Sequence, residues 1–311
     1  MSISVEVRPF RRHDREQLTA LVAAHVAAVI PGVSVSVASV LSHLERDPGE
    51  FVVDPWVDAR ATLVAEQRGR VVAAAHLLRY RGDEGVGRSY RDAAELRWFL
   101  FWPEAPYWAG SRDAADALLA AALAQLDRWE PRLQHADGTL PAPGVYGVPA
   151  QWPHVRAAYE RAGFVHGGRV ERVWIADVEA LPGAEDVERA DLGLERSLGI
   201  NGTRLSALRE GEVVGFVELE VFDGGERIAR QGTLADIGNL HVGEGEEVGA
   251  LGAWLVAQAA AWLRLGRVER VLDYTDADEH ERAAFLEGVG FRELTQTARG
   301  WTRTPPGVSG T

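Results

Sequence analysis

A stretch of glycines and acidic residues joins an apolar strand to a long apolar helix in the second half of the chain. Residues 240–256 read LHVGEGEEVGALGAWLV. Glycine at a strand-to-helix junction lets backbone N–H groups approach a negatively charged ligand, and the helix N-terminus adds a favourable dipole. The pattern therefore indicates a site for an anion such as a diphosphate. A glycine-rich turn that only packs the helix on a sheet is the alternative.

The first half has a counterpart to this junction, but its glycines are replaced. Residues 112–117 read RDAADA, in which Arg112 could pair with a phosphate or simply be solvated. Trp102, Tyr107 and Trp108 stand just before this segment, and such aromatic side chains could line a pocket or belong to the core. The first half is thus a second candidate for the anion site.

Composition excludes several kinds of chemistry. The 311 residues include no cysteine and no lysine, since all 33 basic residues are arginine. Thiolate nucleophiles, a P-loop lysine and a Schiff-base lysine are therefore excluded. The histidines show no metal-binding spacing, and no HExxH or GxSxG motif is present, so we expect no metal. A net charge of −13 disfavours nucleic acid and anionic membranes as partners.

The location of the protein is predicted from hydropathy. No segment approaches the roughly 20 apolar residues that span a bilayer. The first ten residues, MSISVEVRPF, lack the basic start and apolar core of a signal peptide. We therefore expect a soluble, cytoplasmic protein; an oligomer is compatible with the sequence but not specified by it.

The elements that must position these residues alternate between strands and helices. In the first half, the patterns predict strands at 4–10, 61–66, 71–80, 95–102, 144–148 and 164–175, and helices at 13–29, 113–130 and 153–162. In the second half, they predict strands at 204–209, 212–222, 234–242, 268–274 and from 291 onward, and helices at 249–265 and 278–288. Hairpins give antiparallel pairs and strand–helix–strand crossovers give parallel ones, so we expect an α/β fold with mixed sheets.

The order of elements repeats. Three pairs of matching positions are separated by 142, 141 and 127 residues: Gly69 and Gly211, Leu96 and Ile237, Gly163 and Gly290. We therefore predict two similar domains at residues 1–178 and 195–303, joined by an acidic linker at 179–194.

Two segments carry a resemblance to a known family. Residues 157–164, AAYERAGF, look like the last-helix motif of the GNAT-type acyl-CoA-dependent N-acyltransferases, in which a tyrosine precedes a Gly-Phe pair. Residues 240–256 are similar to the family's acyl-CoA loop, Arg/Gln-x-x-Gly-x-Gly/Ala. Gly252 falls on the second glycine, whereas Glu247 and Ala250 depart from the Arg/Gln and first-glycine positions.

The resemblance implies a tandem N-acetyltransferase that moves an acetyl group from acetyl-CoA to a small-molecule amine by direct attack. It implies that Tyr159 donates a proton or hydrogen bond to the leaving thiolate. Glu95, at the start of the first central strand, is the candidate base for an amine that arrives protonated. The implied acyl-CoA contacts in the two halves are Phe99, Leu100, Phe101 and Arg112, and Leu240, Val242, Gly249, Ala250, Leu251 and Gly252.

The two halves do not retain the same features. Leu286 stands where the first half has Tyr159, and Glu244, Glu246 and Glu247 put like charges near the expected phosphates. We therefore expect the chemistry in the first half and weak acyl-CoA binding in the second. The alternative is a degenerate GNAT-like protein that binds a ligand or a partner without turnover.

Overall fold

The chain folds into two compact units in a computed structural model that describes residues 4–46, 54–102, 110–142, 144, 146–187, 189–200, 202–222 and 233–305. Unit 1 comprises residues 1–170 and 297–311, and unit 2 comprises residues 171–296. The candidate residues Tyr107 and Trp108 lie outside the described residues.

Unit 1 begins with a strand and two helices, continues as a three-stranded meander, and ends with two crossover helices. Its elements are β1 (Val5–Pro9), α1 (Arg15–Val29), α2 (Val37–Glu45), β2 (Val57–Gln67), β3 (Arg70–Tyr80), β4 (Ala93–Phe101), α3 (Ser111–Arg128), β5 (Leu133–Ala136), β6 (Val148–Pro149) and α4 (Pro153–Arg161). The strands β1 to β4 pair antiparallel in chain order, and β4 pairs parallel with β5. Every residue of β4 is buried, which makes it the central strand of the unit.

Unit 2 repeats the second part of this order without the two leading helices. Its elements are β8 (Gly193–Gly199), β9 (Gly202–Arg209), β10 (Glu212–Phe222), β11 (Leu234–Val242), α5 (Val248–Leu265), β12 (Arg270–Asp276) and α6 (His280–Gly288). The strands β8 to β11 pair antiparallel in chain order, and β11 pairs parallel with β12. The helix α5 packs its apolar side chains into the core of this unit.

Two long strands divide between the units. In β7 (Val165–Asp177), residues 171–177 pair with β12 and belong to unit 2. In β13 (Arg292–Arg303), residues 301–303 pair with β5 and belong to unit 1. Each unit is therefore completed by a strand from the other half of the sequence. The predicted domain ranges, 1–178 and 195–303, follow chain order and stay a prediction. The compact units differ from these ranges at β7 and β13.

The predicted hairpins and crossover helices are confirmed, with shifts of a few residues at their ends. The sequence analysis missed three elements, α2, β5 and β8, and it placed most of β6 too early. The helix α2 has only nine residues and contains two valines, whose branched side chains lower helix propensity. The strand β5 has four residues, two of them polar, and β8 is exposed along its length, so neither shows a clear apolar pattern.

The repeat is confirmed at the level of the backbone. Arg68-Gly69 and Glu210-Gly211 both have positive φ angles, which is the two-residue turn that suits a hairpin. The amide of Phe164 donates to the carbonyl of Tyr159, and the amide of Phe291 donates to that of Leu286 in the same way. These equivalent bonds confirm that Leu286 occupies the place of Tyr159.

One described helix, α5, is long and apolar enough to cross a membrane by length and composition. Half of its 18-residue window is buried within the structure, as is typical of a core helix in a globular protein.

Candidate functional site

The central strand of each unit separates from its parallel neighbour. The strand β4 pairs with β5 only over residues 93–96, and β11 pairs with β12 only over residues 234–236. Beyond these points the central strands continue to Phe101 and Val242, and no strand among the described residues pairs with them on that side. A cleft therefore opens at equivalent places in the two units, at the carboxyl ends of the parallel strands, where α/β proteins commonly bind ligands.

A β-bulge marks both central strands at the point of divergence. Opposite the consecutive residues His76 and Leu77 of β3, β4 inserts Arg97 between Trp98 and Leu96. In unit 2, β11 inserts Gly238 between two residues that face consecutive residues of β10. Arg97 and Gly238 are 141 residues apart, the same separation as Leu96 and Ile237. Bulges interrupt the regular ladder and are common beside active sites, so the repeat shares this device as well as its fold.

A cavity of about 820 Å³ lies at the end of β4 in unit 1. Its walls are the alanine face of α1, the start of β3, Trp102 at the end of β4 and residues 151–154 at the start of α4. Most of these side chains are apolar, which suits the flexible, largely apolar arm of an acyl thioester or the body of an apolar amine.

Two histidines line this cavity and contact each other. The Nε2 atoms of His25 and His154 are 3.1 Å apart, and Nδ1 of His25 lies 2.8 Å from the carbonyl oxygen of Leu21. Burial lowers the pKa of each imidazole to about 4, although the carbonyls of Leu21 and Phe101 oppose this shift at His25. Both rings are therefore uncharged at neutral pH.

The predicted base lies in a buried polar cluster beside the bulge. One carboxylate oxygen of Glu95 accepts a hydrogen bond from the hydroxyl of Tyr80, and the other lies 3.4 Å from Nη1 of Arg97. Arg97 in turn lies 3.8 Å from the carboxylate of Asp137, and Arg299 lies 3.6 Å from it. Burial raises the pKa of Glu95, and the negative charge of Asp137 adds to this effect while Arg97 opposes it.

The predicted acid belongs to the same cluster. Tyr159 is fully buried, and its hydroxyl donates to the backbone carbonyl oxygen of Asp137. Burial and the nearby carboxylates of Asp137 and Glu95 raise the pKa of Tyr159 well above its ordinary value. The structure thus brings Tyr159 and Glu95 together through Asp137 and Arg97. Their catalytic roles stay predictions.

The other residues predicted in unit 1 lie at two places. Phe99, Leu100 and Phe101 are buried in β4, and the ring of Phe101 lies 4.8 Å from that of His154 at the edge of the cavity. Arg112 is exposed in the first turn of α3, and it does not line the cavity. It remains available to an anion that reaches the helix N-terminus from the end of β4.

The second cleft has a volume of about 930 Å³ and lies in unit 2. Four of the six residues predicted there line it: Leu240, Val242, Gly249 and Gly252. Ala250 and Leu251 do not line this cleft, and Leu251 is fully buried in the core. A Cβ atom on Gly252 would lie 2.9 Å from the ring of Phe285, so this glycine admits a phenylalanine ring against α5.

The charges around the second cleft are mainly negative. Asp278, Glu279 and Glu281 line it at the start of α6, and the exposed Glu247 caps α5 beside it. Arg282 also lines it but pairs with the buried Asp273 at 2.8 Å. Of the three glutamates expected near the phosphates, Glu246 forms an ion pair with Arg209 instead.

The two cavities share one equivalent stretch of the repeat. Residues 151–154 line the first and residues 278–281 line the second, 127 residues further along. Where unit 1 has Gln151, Trp152 and His154, unit 2 has carboxylates at all three places. The same position in the fold is therefore uncharged in unit 1 and acidic in unit 2.

Sequence reasoning missed the bulge and the histidine pair. A bulge adds one residue without a distinctive sequence. The 141-residue separation of Leu96 and Ile237 is nevertheless also the separation of the two bulged residues, Arg97 and Gly238. His25 and His154 are 129 residues apart, so only the tertiary fold brings them together. Within the described ranges, no three His, Asp or Glu side chains come together in a way that could hold a metal ion.

No model of a protein family and no curated protein matches the sequence. Solved structures do match. A tandem GNAT protein from the clavulanic acid biosynthesis pathway is 17% identical with a TM-score of 0.67, and the match covers 98% of this chain and 100% of the other. A GCN5-related N-acetyltransferase from Sphaerobacter thermophilus is 12% identical with a TM-score of 0.57, and 99% of each chain is covered.

A third match extends over part of a larger protein. The glucosamine N-acetyltransferase region of a fungal multi-domain GH3 β-N-acetylglucosaminidase is 14% identical with a TM-score of 0.65, and the match covers 97% of this chain and 38% of that one. The chain therefore has the tandem GNAT fold, with mixed α/β units and a repeated central strand. The predicted fold class and the resemblance are confirmed.

Proposed function

We propose that the chain is an N-acyltransferase that moves an acetyl group from acetyl-CoA to a small-molecule amine. The observation that carries this proposal is the bulged central strand that leaves its parallel neighbour beside an apolar cavity in unit 1. The fold it shares with N-acetyltransferases supports the proposal. In the proposed reaction, the amine nitrogen attacks the thioester carbonyl carbon, the C–N bond forms, and the C–S bond then breaks.

We place acetyl-CoA in unit 1. The apolar cavity between the end of β4 and the start of α4 fits the acyl-pantetheine arm, and the start of α3 with Arg112 would face the diphosphate. In unit 2, carboxylates surround the equivalent cleft and oppose a polyanionic ligand, so we expect weak binding there. The backbone N–H groups of β4 beyond the bulge would polarise the thioester carbonyl.

Tyr159 and Glu95 would handle protons. Because burial keeps the pKa of Tyr159 far above that of a thiol, its hydroxyl would stabilise the departing thiolate by a hydrogen bond rather than by full transfer. This requires the hydroxyl to exchange its bond to Asp137. Glu95 is fully buried, so a proton from the amine would reach it through the carboxylate of Asp137 or through water, with Arg97 holding the two carboxylates in place.

A second function is favoured by one observation. The hydroxyl of Tyr159 is already satisfied by the carbonyl of Asp137, which is the arrangement of a structural tyrosine. A GNAT-like protein that binds a ligand without turnover would keep this bond. The two functions differ in whether acetyl-CoA is consumed.

The test is an assay of thiol release by the full chain with acetyl-CoA and a panel of small amines, with mass spectrometry of the amines. The proposal predicts amine-dependent thiol release and an acetylated product. Binding of acetyl-CoA with no thiol release for any amine would favour the ligand-binding function, and absence of binding would contradict both the proposed activity and the placement of the co-substrate.

A further inference from the structure

The cavity of unit 1 has a wall that unit 2 lacks. Three alanines on one face of α1, Ala20, Ala24 and Ala28, line it at a spacing of four residues. Unit 2 has no described α-helix ahead of β8, so its cleft has no equivalent of this wall. The cavity in unit 1 is therefore large enough to hold a second apolar molecule beside the end of β4.

The histidine pair gives this cavity one defined hydrogen-bonding group. The carbonyl oxygens of Leu21 and Phe101 both favour a proton on the ring of His25. We assign the one proton of the neutral ring to Nδ1, which lies 2.8 Å from the carbonyl oxygen of Leu21, and this assignment leaves Nε2 to accept. The 3.1 Å contact then requires Nε2 of His154 to donate to it. The remaining nitrogen of His154, Nδ1, carries a lone pair and forms no hydrogen bond with the part of the chain that the structure describes.

No buried carboxylate is among the described residues that line this cavity. Its charged lining side chains are Glu16 and Arg70, both exposed, and Glu16 pairs with Arg15 at 2.8 Å. The indoles of Trp102 and Trp152 and the two neutral imidazoles form the end at which α4 begins. Moving a charged amine into such surroundings costs far more than moving a neutral one.

We propose that this cavity is the acceptor site and that it takes a weakly basic amine, such as an arylamine, which is uncharged at neutral pH and donates an N–H to Nδ1 of His154. The proposal rests on the proposed acyltransferase function. It names the substrate class of that same site. His25 is a positioning residue, because it fixes which nitrogen of His154 can accept.

The acceptor class follows from the state of the amine. A neutral arylamine already has the lone pair that attacks the thioester carbonyl carbon, so no proton has to leave before attack. After the C–N bond forms, the nitrogen carries an extra proton, which can pass to Nδ1 of His154 while the C–S bond breaks. An alkylamine would first have to lose a proton outside the cavity.

Two isomers make a matched pair of probes. The aromatic amine 4-butylaniline is neutral at pH 7, whereas 4-phenylbutylamine has the same atoms and is protonated, as a lysine side chain is. Titration calorimetry of each against the full chain without acetyl-CoA measures binding directly. Thiol release after addition of acetyl-CoA then measures transfer.

We expect 4-butylaniline to bind at least about tenfold more tightly than 4-phenylbutylamine, because no buried carboxylate among the described lining residues would compensate an ammonium for its lost hydration. We expect His154→Gln to weaken the binding of 4-butylaniline by about three- to tenfold, the range for one neutral hydrogen bond. The matched control is His43→Gln, since Nδ1 of His43 also bonds to a helix carbonyl, that of Ser39 at 2.7 Å, but His43 does not line the cavity. A second variant, Ala24→Leu, fills the cavity without altering either histidine.

The outcomes separate the site from the reaction. Equal or tighter binding of 4-phenylbutylamine, an equal effect of His154→Gln and His43→Gln, or undiminished binding to Ala24→Leu would overturn the proposal. If His154→Gln does not fold, the isomer preference and Ala24→Leu still decide the question. The expected binding preference without any thiol release would support the site and contradict the proposed acyltransferase function.

Discussion

Removal of the hydroxyl of Tyr159 tests whether this buried tyrosine has a part in chemistry or only in structure. In Tyr159→Phe, the ring keeps its neighbours Phe164 and Trp301, whose centroids lie 5.8 and 5.9 Å away. The carbonyl oxygen of Asp137 loses a buried donor. An unsatisfied buried acceptor costs about 1–2 kcal/mol, so the free energy of unfolding should fall by about that amount.

The proposed role adds a larger effect on turnover. A positioned acid that stabilises a leaving group contributes about 10²-fold. We therefore expect the kcat of acetyl transfer to fall by about 10²-fold in Tyr159→Phe, with the KM for acetyl-CoA nearly unchanged. Urea unfolding and steady-state thiol release, both at 25 °C, measure the two effects on the same preparation.

A control variant separates loss of stability from loss of catalysis. Val40 is fully buried on α2 and does not line the cavity, so Val40→Ala should cost about 2 kcal/mol of stability and leave kcat unchanged. Turnover in Tyr159→Phe within twofold of the unaltered chain would remove Tyr159 from the mechanism. An equal fall in Val40→Ala would assign the loss to stability.

Three further predictions concern stability and binding. Burial lowers the pKa of His76 to about 3, so the unfolded chain takes up a proton below about pH 6.5 that the folded chain excludes. Between pH 6.5 and 5, His76 alone should therefore lower the free energy of unfolding by about 2 kcal/mol, and His76→Gln should reduce the total pH-dependent fall by about that amount, as measured by urea unfolding. Glu247→Arg should tighten acetyl-CoA binding to unit 2 in calorimetry of the full chain, whereas Glu244→Arg, a matched charge change in the same loop, should have a smaller effect; equal effects would contradict a local cause. Gly252→Ala should lower the free energy of unfolding by about 1 kcal/mol because its new Cβ meets a phenylalanine ring, whereas Gly249→Ala, exposed on the same helix, should be neutral or stabilising; a destabilised Gly249→Ala with an unaffected Gly252→Ala would refute this packing role.

Part of β7 belongs to unit 2 and part of β13 belongs to unit 1, so neither unit can be tested as an isolated half of the sequence. A fragment that begins at residue 195 lacks residues 171–177, which pair with β12. A fragment that ends at residue 178 lacks Trp301, which is buried in unit 1 against Tyr159. We therefore test each unit by substitutions in the full chain rather than in isolated halves.

Much of the fold could be predicted because strong local patterns specify it. The hairpin turns at Gly69 and Gly211 need positive φ angles, and the helices α3 and α5 are long and rich in alanine and leucine. The helix α2 was missed although Ser36 supplies an N-cap, its hydroxyl accepting from the amide of Ser39 at 3.0 Å. This N-cap is a sequence signal for the start of a helix, but the branched valines that follow it lower helix propensity.

The candidate site was predictable only where it is local in sequence. The glycine junction of unit 2 lies within one segment, and four of its predicted residues line one cleft. The histidine pair depends on contacts between residues far apart in the chain, and no periodicity encodes it. The motif predicts that Gly252 lies near a phosphate, but the structure also shows that a larger residue there would collide with the ring of Phe285. A glycine at this place is therefore not specific evidence for a phosphate site.

The central claim is that acetyl-CoA binds to unit 1, and one calorimetric comparison tests it most directly. The helix α3 begins after Gly110 and α5 begins after Glu247, so Arg112 and Gly249 occupy equivalent places in the first turns of the two helices. Both are exposed, and a glutamate at either place puts a negative charge at the helix N-terminus of one unit. We expect Arg112→Glu to weaken acetyl-CoA binding by at least about tenfold, because it removes a charge-assisted phosphate contact, and Gly249→Glu to change it less than twofold. The reverse pattern would place acetyl-CoA in unit 2 and overturn its assignment to unit 1.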